Sequence, residues 1–395
     1  MKKKVIFRSG SLRMGGLERV LIEVLQTIDK EKFDIYLVID DDCGKENIFE
    51  KDIPKDIPYF FLKPEKLIRE TEKYKEKKKN IFYKLMYNLM MEKENKVMYR
   101  NMQRILKDIG EIDVIVDFDA GASKYIEKLD IKKKIVWIHN SIPNLKKKES
   151  KIKRFGKRLE KYDRVVAICD EMKEEIENIY PNLRGKVSRI YNPFNFERIE
   201  KLMEDERELT KEQKKMQNED YCIAIARLDN VQKDFLTLVR AYKFVKENGI
   251  QDKLYIVGDG PSKEEIINEI KKLSLEENIK LIGLSKNPYI WLKNSKLFVH
   301  SSKYEGLPTV LIEALICNKM IISSNCPTGP KEILKNESCG KLFEVGNIKE
   351  LGDYLIEFLA NKNNRELYEK NVILRKEEFN KNKVIKEYEK LIEEI

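Results

Sequence analysis

The sequence predicts an α/β protein of two domains, each built on a parallel sheet covered by helices. Three observations carry this. The chain has 395 residues, about two to three times the commonest single-domain size. Short apolar, β-branched runs alternate with longer amphipathic stretches along its whole length, the pattern of strands joined by helical crossovers. Midway, Asn192-Pro193 breaks the pattern and is followed by a highly charged stretch, 197–220, with almost no apolar stripe, which marks the domain boundary.

Taken in order, the first half offers strands at 4–7, 34–39, 58–62, 112–116, 134–138, 164–168 and 187–191. The second offers 221–226, 253–257, 279–282, 296–299 and 320–323. No repeat of 20 to 50 residues is visible, which excludes a solenoid. The stretch 63–108 departs from the alternation and reads as one or two long basic helices. Ile81, Phe82, Leu85, Met86, Leu89 and Met90 form an apolar stripe there, ringed by Lys77, Lys78, Lys79, Lys84, Lys93 and Lys96. Such a helix suits a membrane interface, and equally an insertion packed on its own domain with solvated lysines.

Composition narrows the functional classes. A chain that is 42% hydrophobic and 37% charged folds rather than staying disordered. No apolar run approaches the roughly 18 to 20 residues that cross a bilayer, and Met1-Lys-Lys-Lys-Val-Ile-Phe-Arg8 is too short and charge-broken for a signal peptide. A cytoplasmic protein is expected. Six cysteines without CxxC spacing and only two histidines, His139 and His300, read as reduced packing thiols and exclude a multi-histidine metal site. The net charge of +10 is uneven: residues 1–192 hold 44 Lys and Arg against 33 Asp and Glu, and the remainder is at −1. That asymmetry points the first half at an anionic partner, a nucleic acid or an acidic membrane surface.

The richest segment is Ser301-Ser-Lys-Tyr-Glu-Gly-Leu-Pro-Thr-Val-Leu-Ile-Glu313. Gly306 allows a tight turn, Pro308 suits a first helical turn, and a helix follows from Thr309. Its free N–H groups near Leu307 to Val310 would form an anion site at the carboxyl edge of the sheet. Glu305 and Glu313 would repel a phosphate, so they fit only neutral donors such as sugar hydroxyls. A phosphate flanked by hydroxyl-rich groups is the layout of a nucleotide sugar.

Arg227 and Lys233, on the loop leaving the strand at 221–226, would neutralise a diphosphate and its developing charge. Gly258-Asp-Gly-Pro261 and Gly283-Leu-Ser-Lys-Asn-Pro288 follow two further strands, as close backbone approaches to a ligand or as simple βα turns. The loop Ser9-Gly-Ser-Leu-Arg-Met-Gly-Gly-Leu-Glu18 is glycine-rich but is neither GxGxxG nor GxxxxGK[ST], so dinucleotide and P-loop chemistry lose ground. His139 ends the strand at 134–138 and reads either as a substrate contact or as a satisfied strand terminus; His300 reads as packed.

Arg227-x5-Lys233, Gly258-Asp-Gly-Pro261, Glu305-x7-Glu313 and Cys326-Pro-Thr-Gly-Pro-Lys-Glu332, in that order and spacing, resemble family 4 glycosyltransferases of the GT-B fold. Gly15-Gly-Leu-Glu-Arg19 and Asn192-Pro193 fit the family's first domain and hinge. The resemblance implies two Rossmann-like domains facing across a cleft. The acceptor-side domain would be 1–192 with the insertion 63–108, followed by a charged linker or helix at 193–220. The donor domain would be 221–378, and a C-terminal helix at 379–395 would pack back on the first domain. It implies retaining transfer from a nucleotide sugar, commonly a UDP-sugar, with no cofactor and no metal. Glu305 would hold donor-sugar hydroxyls, Glu313 the ribose, and Arg227 with Lys233 the diphosphate. Gly16, Gly306, Leu307, Pro308, Thr309, Val310, Gly258 and Gly283 would complete the donor site, and His139 would sit beside the anomeric centre.

The Pro327-Thr-Gly-Pro-Lys331 loop is similar to members that build capsule, O-antigen or lipid-linked glycans. The expected acceptor is therefore a lipid-linked or growing polysaccharide, reached by peripheral contact with an anionic membrane. Three readings compete. Asp40-Asp-Asp42 and Asp117-Phe-Asp119 carry DxD, the metal signature of the GT-A fold. A UDP-sugar epimerase shares the two-domain architecture. The basic half suggests nucleic-acid binding, against which stand its 33 acids and the lack of a recognition motif.

Overall fold

The structure, a computed structural model, describes residues 2–395, so Met1 of the expected 1–192 domain lies outside the described residues. The chain forms two compact units: one runs to Phe194 and takes in Lys381–Ile395, and the other is Asn195–Asn380.

Among the described residues the first unit holds seven strands: β1 (Lys3–Ser9), β2 (Phe33–Asp41), β3 (Tyr59–Lys63), β4 (Val114–Asp117), β5 (Lys133–Ile138), β6 (Arg164–Ala167) and β7 (Val187–Arg189). They pair in the order β3-β2-β1-β4-β5-β6-β7, all parallel. Val5, Ile6 and Phe7 are fully buried, as expected of a strand covered on both faces. The order reverses between β1 and β4, which sets the loops after these two strands side by side at the carboxyl edge.

The second unit repeats the plan with β8 (Tyr221–Ile225), β9 (Lys253–Val257), β10 (Ile279–Gly283), β11 (Phe298–His300), β12 (Ile321–Ser324) and β13 (Gly340–Phe343). Their order is β10-β9-β8-β11-β12-β13, again parallel. The reversal between β8 and β11 brings together the loops that follow them. Both sheets are Rossmann-like. The expected strands are all present, with ends moved by a residue or two, and β13 is one that the sequence did not yield.

The stretch 63–108 is helical, as Glu65–Glu76 and Ile81–Ile109. The longer helix buries Met90, Met98, Met102, Ile105 and Leu106 on its own unit. Lys63 anchors it by meeting Glu94 at 3.0 Å. The apolar stripe splits: Met90 is 6% exposed, whereas Ile81, Phe82, Leu85 and Leu89 are 85%, 62%, 58% and 51% exposed. Within 193–220 lie two short helices, Phe196–Met203 and Lys211–Met216, belonging to the second unit. The first buries Phe196 and Ile199, and Asn287 donates to the carbonyl of Leu202 in its last turn and to that of Asp205 just beyond it. The last helix, Lys381–Glu394, joins the first unit. There Tyr388 stacks on Trp137 with ring centroids 4.7 Å apart, and Glu389 accepts from the Asp29 amide.

Candidate functional site

On the second unit the loop 226–234 after β8 and the segment 301–308 after β11 are tied together. The Lys303 amide donates to the Gln232 carbonyl at 2.7 Å, Ser301 Oγ to the Lys233 carbonyl at 2.9 Å, and Lys303 Nζ to the Asn230 carbonyl at 3.2 Å. These bonds carry Lys233 to Glu305, where Nζ meets Oε1 at 2.5 Å with both side chains mostly buried. Gln232 Nε2 lies 3.4 Å from the other carboxylate oxygen. Burial alone would raise the Glu305 pKa, but the hydrogen bond from His300 and the Lys233 ammonium outweigh it, holding the carboxyl well below the usual range. Arg227, at the exit of β8, is exposed.

Beyond Glu305 the chain turns through Gly306 into the helix Thr309–Ile316. Its first-turn N–H groups have no carbonyl ahead of them within the helix. Gly329, at φ +105°, lies against this turn: a Cβ there would come within 2.5 Å of Pro308 Cδ. The Pro327-Thr-Gly-Pro-Lys331 loop therefore buttresses the turn that presents the helix. Glu313, one turn inside, accepts a hydrogen bond from Tyr289 OH at 2.9 Å. Tyr289 lies on the helix Tyr289–Asn294, and burial pushes its phenol pKa up.

The glycines of the neighbouring loops have local reasons. A Cβ on Gly258 would sit 1.9 Å from the Ala226 carbonyl oxygen, so this glycine lets the β9 turn press against the loop bearing Arg227. Gly283 closes β10, and its carbonyl accepts from the Gly258 amide. Arg227, Lys233, Glu305, the 306–310 turn and Glu313 thus share the carboxyl edge of one sheet, with Gly258 and Gly283 on the loops beside them.

On the first unit, His139 follows β5 with its ring 4.9 Å from that of Phe118. Burial pushes its pKa down to about 4, and its Nε2 is shielded from solvent without a hydrogen-bond partner among the described residues. Gly16 opens the helix Gly16–Thr27 with clear space where a Cβ would stand. The same unit holds a cluster the sequence did not disclose. Arg8, 1% exposed, donates to Asp40, Asp117 and Asp119. Tyr162 OH donates to Asp117 at 2.5 Å, and the Gly10 amide donates to Asp119. Burial pushes the Asp117 pKa up to about 6 against the opposing Arg8 charge. Asp40, Asp117 and Asp119 are thus engaged with a guanidinium, and Asp42 accepts from the Gly44 amide and from Asn47 Nδ2, which gives the metal-dependent GT-A reading no support. Among the described residues no cluster of His, Cys, Asp and Glu suited to a metal ion is found.

His300, expected to be packed, is buried at 4% exposure, but both ring nitrogens are engaged. Nε2 lies 3.1 Å from Glu305 Oε1 and Nδ1 3.0 Å from Ser323 Oγ. Tyr289 and Ser323 likewise carry no mark of a site residue in the sequence. The one available signal was that His300 and Ser323 both fall at strand ends on the carboxyl edge.

Comparison with known proteins places this architecture. The family of glycosyl transferases group 1 matches residues 205–375, and Glycosyltransferase Family 4 matches residues 14–198. An uncharacterized glycosyltransferase of Methanocaldococcus jannaschii is 33% identical over 58% of this chain and 63% of its own. The N-acetylgalactosamine-N,N'-diacetylbacillosaminyl-diphospho-undecaprenol 4-alpha-N-acetylgalactosaminyltransferase of Campylobacter jejuni is 28% identical over 57% of this chain and 60% of its own. The chain thus spans less than two thirds of the length of these curated relatives. Among solved structures, Anabaena HepE in complex with UDP and glucose superposes with a TM-score of 0.74 at 15% identity, covering all of both chains. Two parallel Rossmann-like sheets of this kind define the GT-B class. With both halves matched, the chain belongs to the family 4 glycosyltransferases.

Proposed function

We propose that the chain is a retaining glycosyltransferase that moves a sugar from a nucleotide sugar, a UDP-sugar first among them, to a hydroxyl of a lipid-linked or growing cell-surface glycan. The observation that carries this is the convergence of Lys233, Glu305 and Glu313 around the N-terminus of the helix Thr309–Ile316. An anion site bracketed by two carboxylates suits a diphosphate with hydroxyls on either side. Glu305 takes the sugar hydroxyls and Glu313 the ribose. The 306–310 backbone, with Arg227 and Lys233, takes the diphosphate and stabilises the charge that grows on it as the glycosidic bond breaks. Two cations and a helix terminus are the counter-charge proposed in place of a metal. On the first unit the proposed ligand contacts are His139, through its unpartnered Nε2, and Gly16. The UDP bound in the HepE structures and the undecaprenol acceptor in the name of the Campylobacter relative support the donor and acceptor classes.

The acceptor class also implies work at a lipid surface. Ile81, Phe82, Leu85 and Leu89 project from one end of the helix Ile81–Ile109. Lys77, Lys78, Lys79, Lys84 and Lys93 around them are exposed too. Apolar side chains ringed by lysines fit the headgroup region of an anionic membrane, on the cytoplasmic face. Among the described residues no helix is long and apolar enough to cross a membrane.

The test is to incubate the protein with a panel of nucleotide sugars and a polyprenyl-diphosphate-linked acceptor in excess chelator, reading the product linkage by NMR. A glycoside with the donor's anomeric configuration is the expected result. An inverted product, or turnover only with added metal, overturns the mechanism, and conversion of the donor without acceptor marks an epimerase.

A further inference from the structure

His300 closes β11, and the chain reverses so that Glu305, five residues on, returns over its ring. Nε2 lies 3.1 Å from Glu305 Oε1 and 2.9 Å from Ser302 Oγ. Nδ1 lies 3.0 Å from Ser323 Oγ, whose residue is the register partner of His300 on β12. All four residues are buried. An ionised carboxylate can only accept hydrogen bonds, so the contact with Glu305 requires a proton on Nε2. Burial lowers the His300 pKa, which leaves a neutral ring with one N–H. Nδ1 must then accept. The Ser323 hydroxyl has two acceptors in reach, Nδ1 at 3.0 Å and the Ser324 carbonyl at 3.1 Å, and the demand at Nε2 assigns its hydrogen to the ring.

We propose that His300 is a positioning residue for Glu305, held as the Nε2–H tautomer by Ser323. Resting on the reading above, in which Glu305 grips donor-sugar hydroxyls, this gives that carboxylate a fixed neutral donor besides Lys233. Both meet Oε1, while among the described residues Oε2 has only Gln232 at 3.4 Å, so Oε2 is the oxygen presented to the sugar. A lysine that turns toward a diphosphate leaves Glu305 still aligned, because His300 cannot follow it.

With two histidines in the chain, ring ¹⁵N NMR of histidine-labelled full-length protein resolves both, and H300Q assigns them by loss of one. The expected His300 signature is a neutral ring protonated on Nε2, shifting toward the other tautomer in S323A. A ring protonated on Nδ1 overturns the proposal. In kinetics, H300A should lower kcat for sugar transfer by about tenfold or more through loss of alignment. Affinity for the nucleoside diphosphate should stay within about threefold, and H300Q, whose amide N–H can occupy the Nε2 position, should recover most of the loss. An unchanged kcat in H300A, equal losses of kcat and nucleotide affinity, or H300Q no better than H300A overturns it. The NMR arm needs no turnover. If the wild-type protein transfers no sugar, the functional reading fails while the tautomer still decides the positioning claim.

Discussion

Lys233→Met separates the two tasks assigned to Lys233, partner of Glu305 and counter-charge for a diphosphate. Its ammonium sits 2.5 Å from a carboxylate whose side chain is 8% exposed, on a side chain 17% exposed itself. Removing one member of a buried pair commonly costs about 3–5 kcal/mol, because the other charge is left desolvated. Glu305 keeps His300 at 3.1 Å and Gln232 at 3.4 Å, so a cost of about 2–3 kcal/mol is expected here. For a unit of this size that corresponds to a fall of about 4–12 °C in Tm. Glu305→Gln in the same chain removes the stranded charge and should restore most of that loss. It should not restore transfer, since the diphosphate still lacks its cation. Losing one preorganised charge-stabilising donor costs about 10²–10³ in rate. Thermal unfolding and steady-state transfer would be measured on Lys233→Met, Glu305→Gln and the double variant. A double variant with transfer near that of Glu305→Gln alone rules out Lys233 as a counter-charge, because Lys233 would then matter only to Glu305.

Arg8→Met should destabilise the protein by about 3–5 kcal/mol at pH 7.5, since it strands buried carboxylates. The loss should be smaller at pH 5, where Asp117, its pKa raised to about 6 by burial, takes up a proton; equal losses in urea unfolding at both pH values contradict this. His139→Phe should flatten the dependence of stability on pH between about 6.5 and 4. With the His139 pKa lowered to about 4, the unfolded chain binds a proton in that window that the native chain does not. The stability His139 contributes is full above pH 6.5 and is lost as the pH falls toward 4. Asp117 has the opposite sign over about 3.8 to 6, but it is common to both proteins and cancels in the difference. Phe82→Ser with Leu85→Ser should abolish sedimentation with vesicles rich in phosphatidylglycerol while leaving Tm unchanged, because both side chains are already exposed; binding that persists, or that ignores salt, contradicts a membrane-facing patch. Gly329→Ala should lower both Tm and transfer rate, since it strains a φ of +105° and drives a methyl into Pro308; an unperturbed rate would detach that loop from the site.

Strand positions were legible because parallel strands buried on both faces read as continuous apolar runs, as at Val5-Ile-Phe7 and Leu254-Tyr-Ile-Val257. β13 was not, since Gly340-Lys-Leu-Phe343 is a four-residue edge strand with a lysine in its middle. The split of the 81–90 stripe was also hidden: its spacing is helical throughout, and only the tertiary placement decides that Met90 is covered and Leu85 is not. Glu305 and Glu313 stood out because they share one strand–turn–helix segment. The meeting of Lys233 with Glu305 follows from β8 and β11 being neighbours, a matter of strand order rather than of local pattern. Arg8 and His300 were opaque for the same reason. Each is a polar residue at or near the end of a strand, and its partners come from other strands or from a chain reversal.

Thermal unfolding with UDP, GDP, ADP or buffer, each in excess chelator, on the wild-type protein and Glu313→Ala decides whether the carboxyl edge of the second sheet is a nucleotide-sugar site. A ligand at about 100 times its Kd adds about 2.7 kcal/mol of stability. A nucleotide-sugar site there gives a clear rise in Tm with UDP that Glu313→Ala largely abolishes. No rise with any of the nucleotides, or a rise that Glu313→Ala leaves intact, would contradict it.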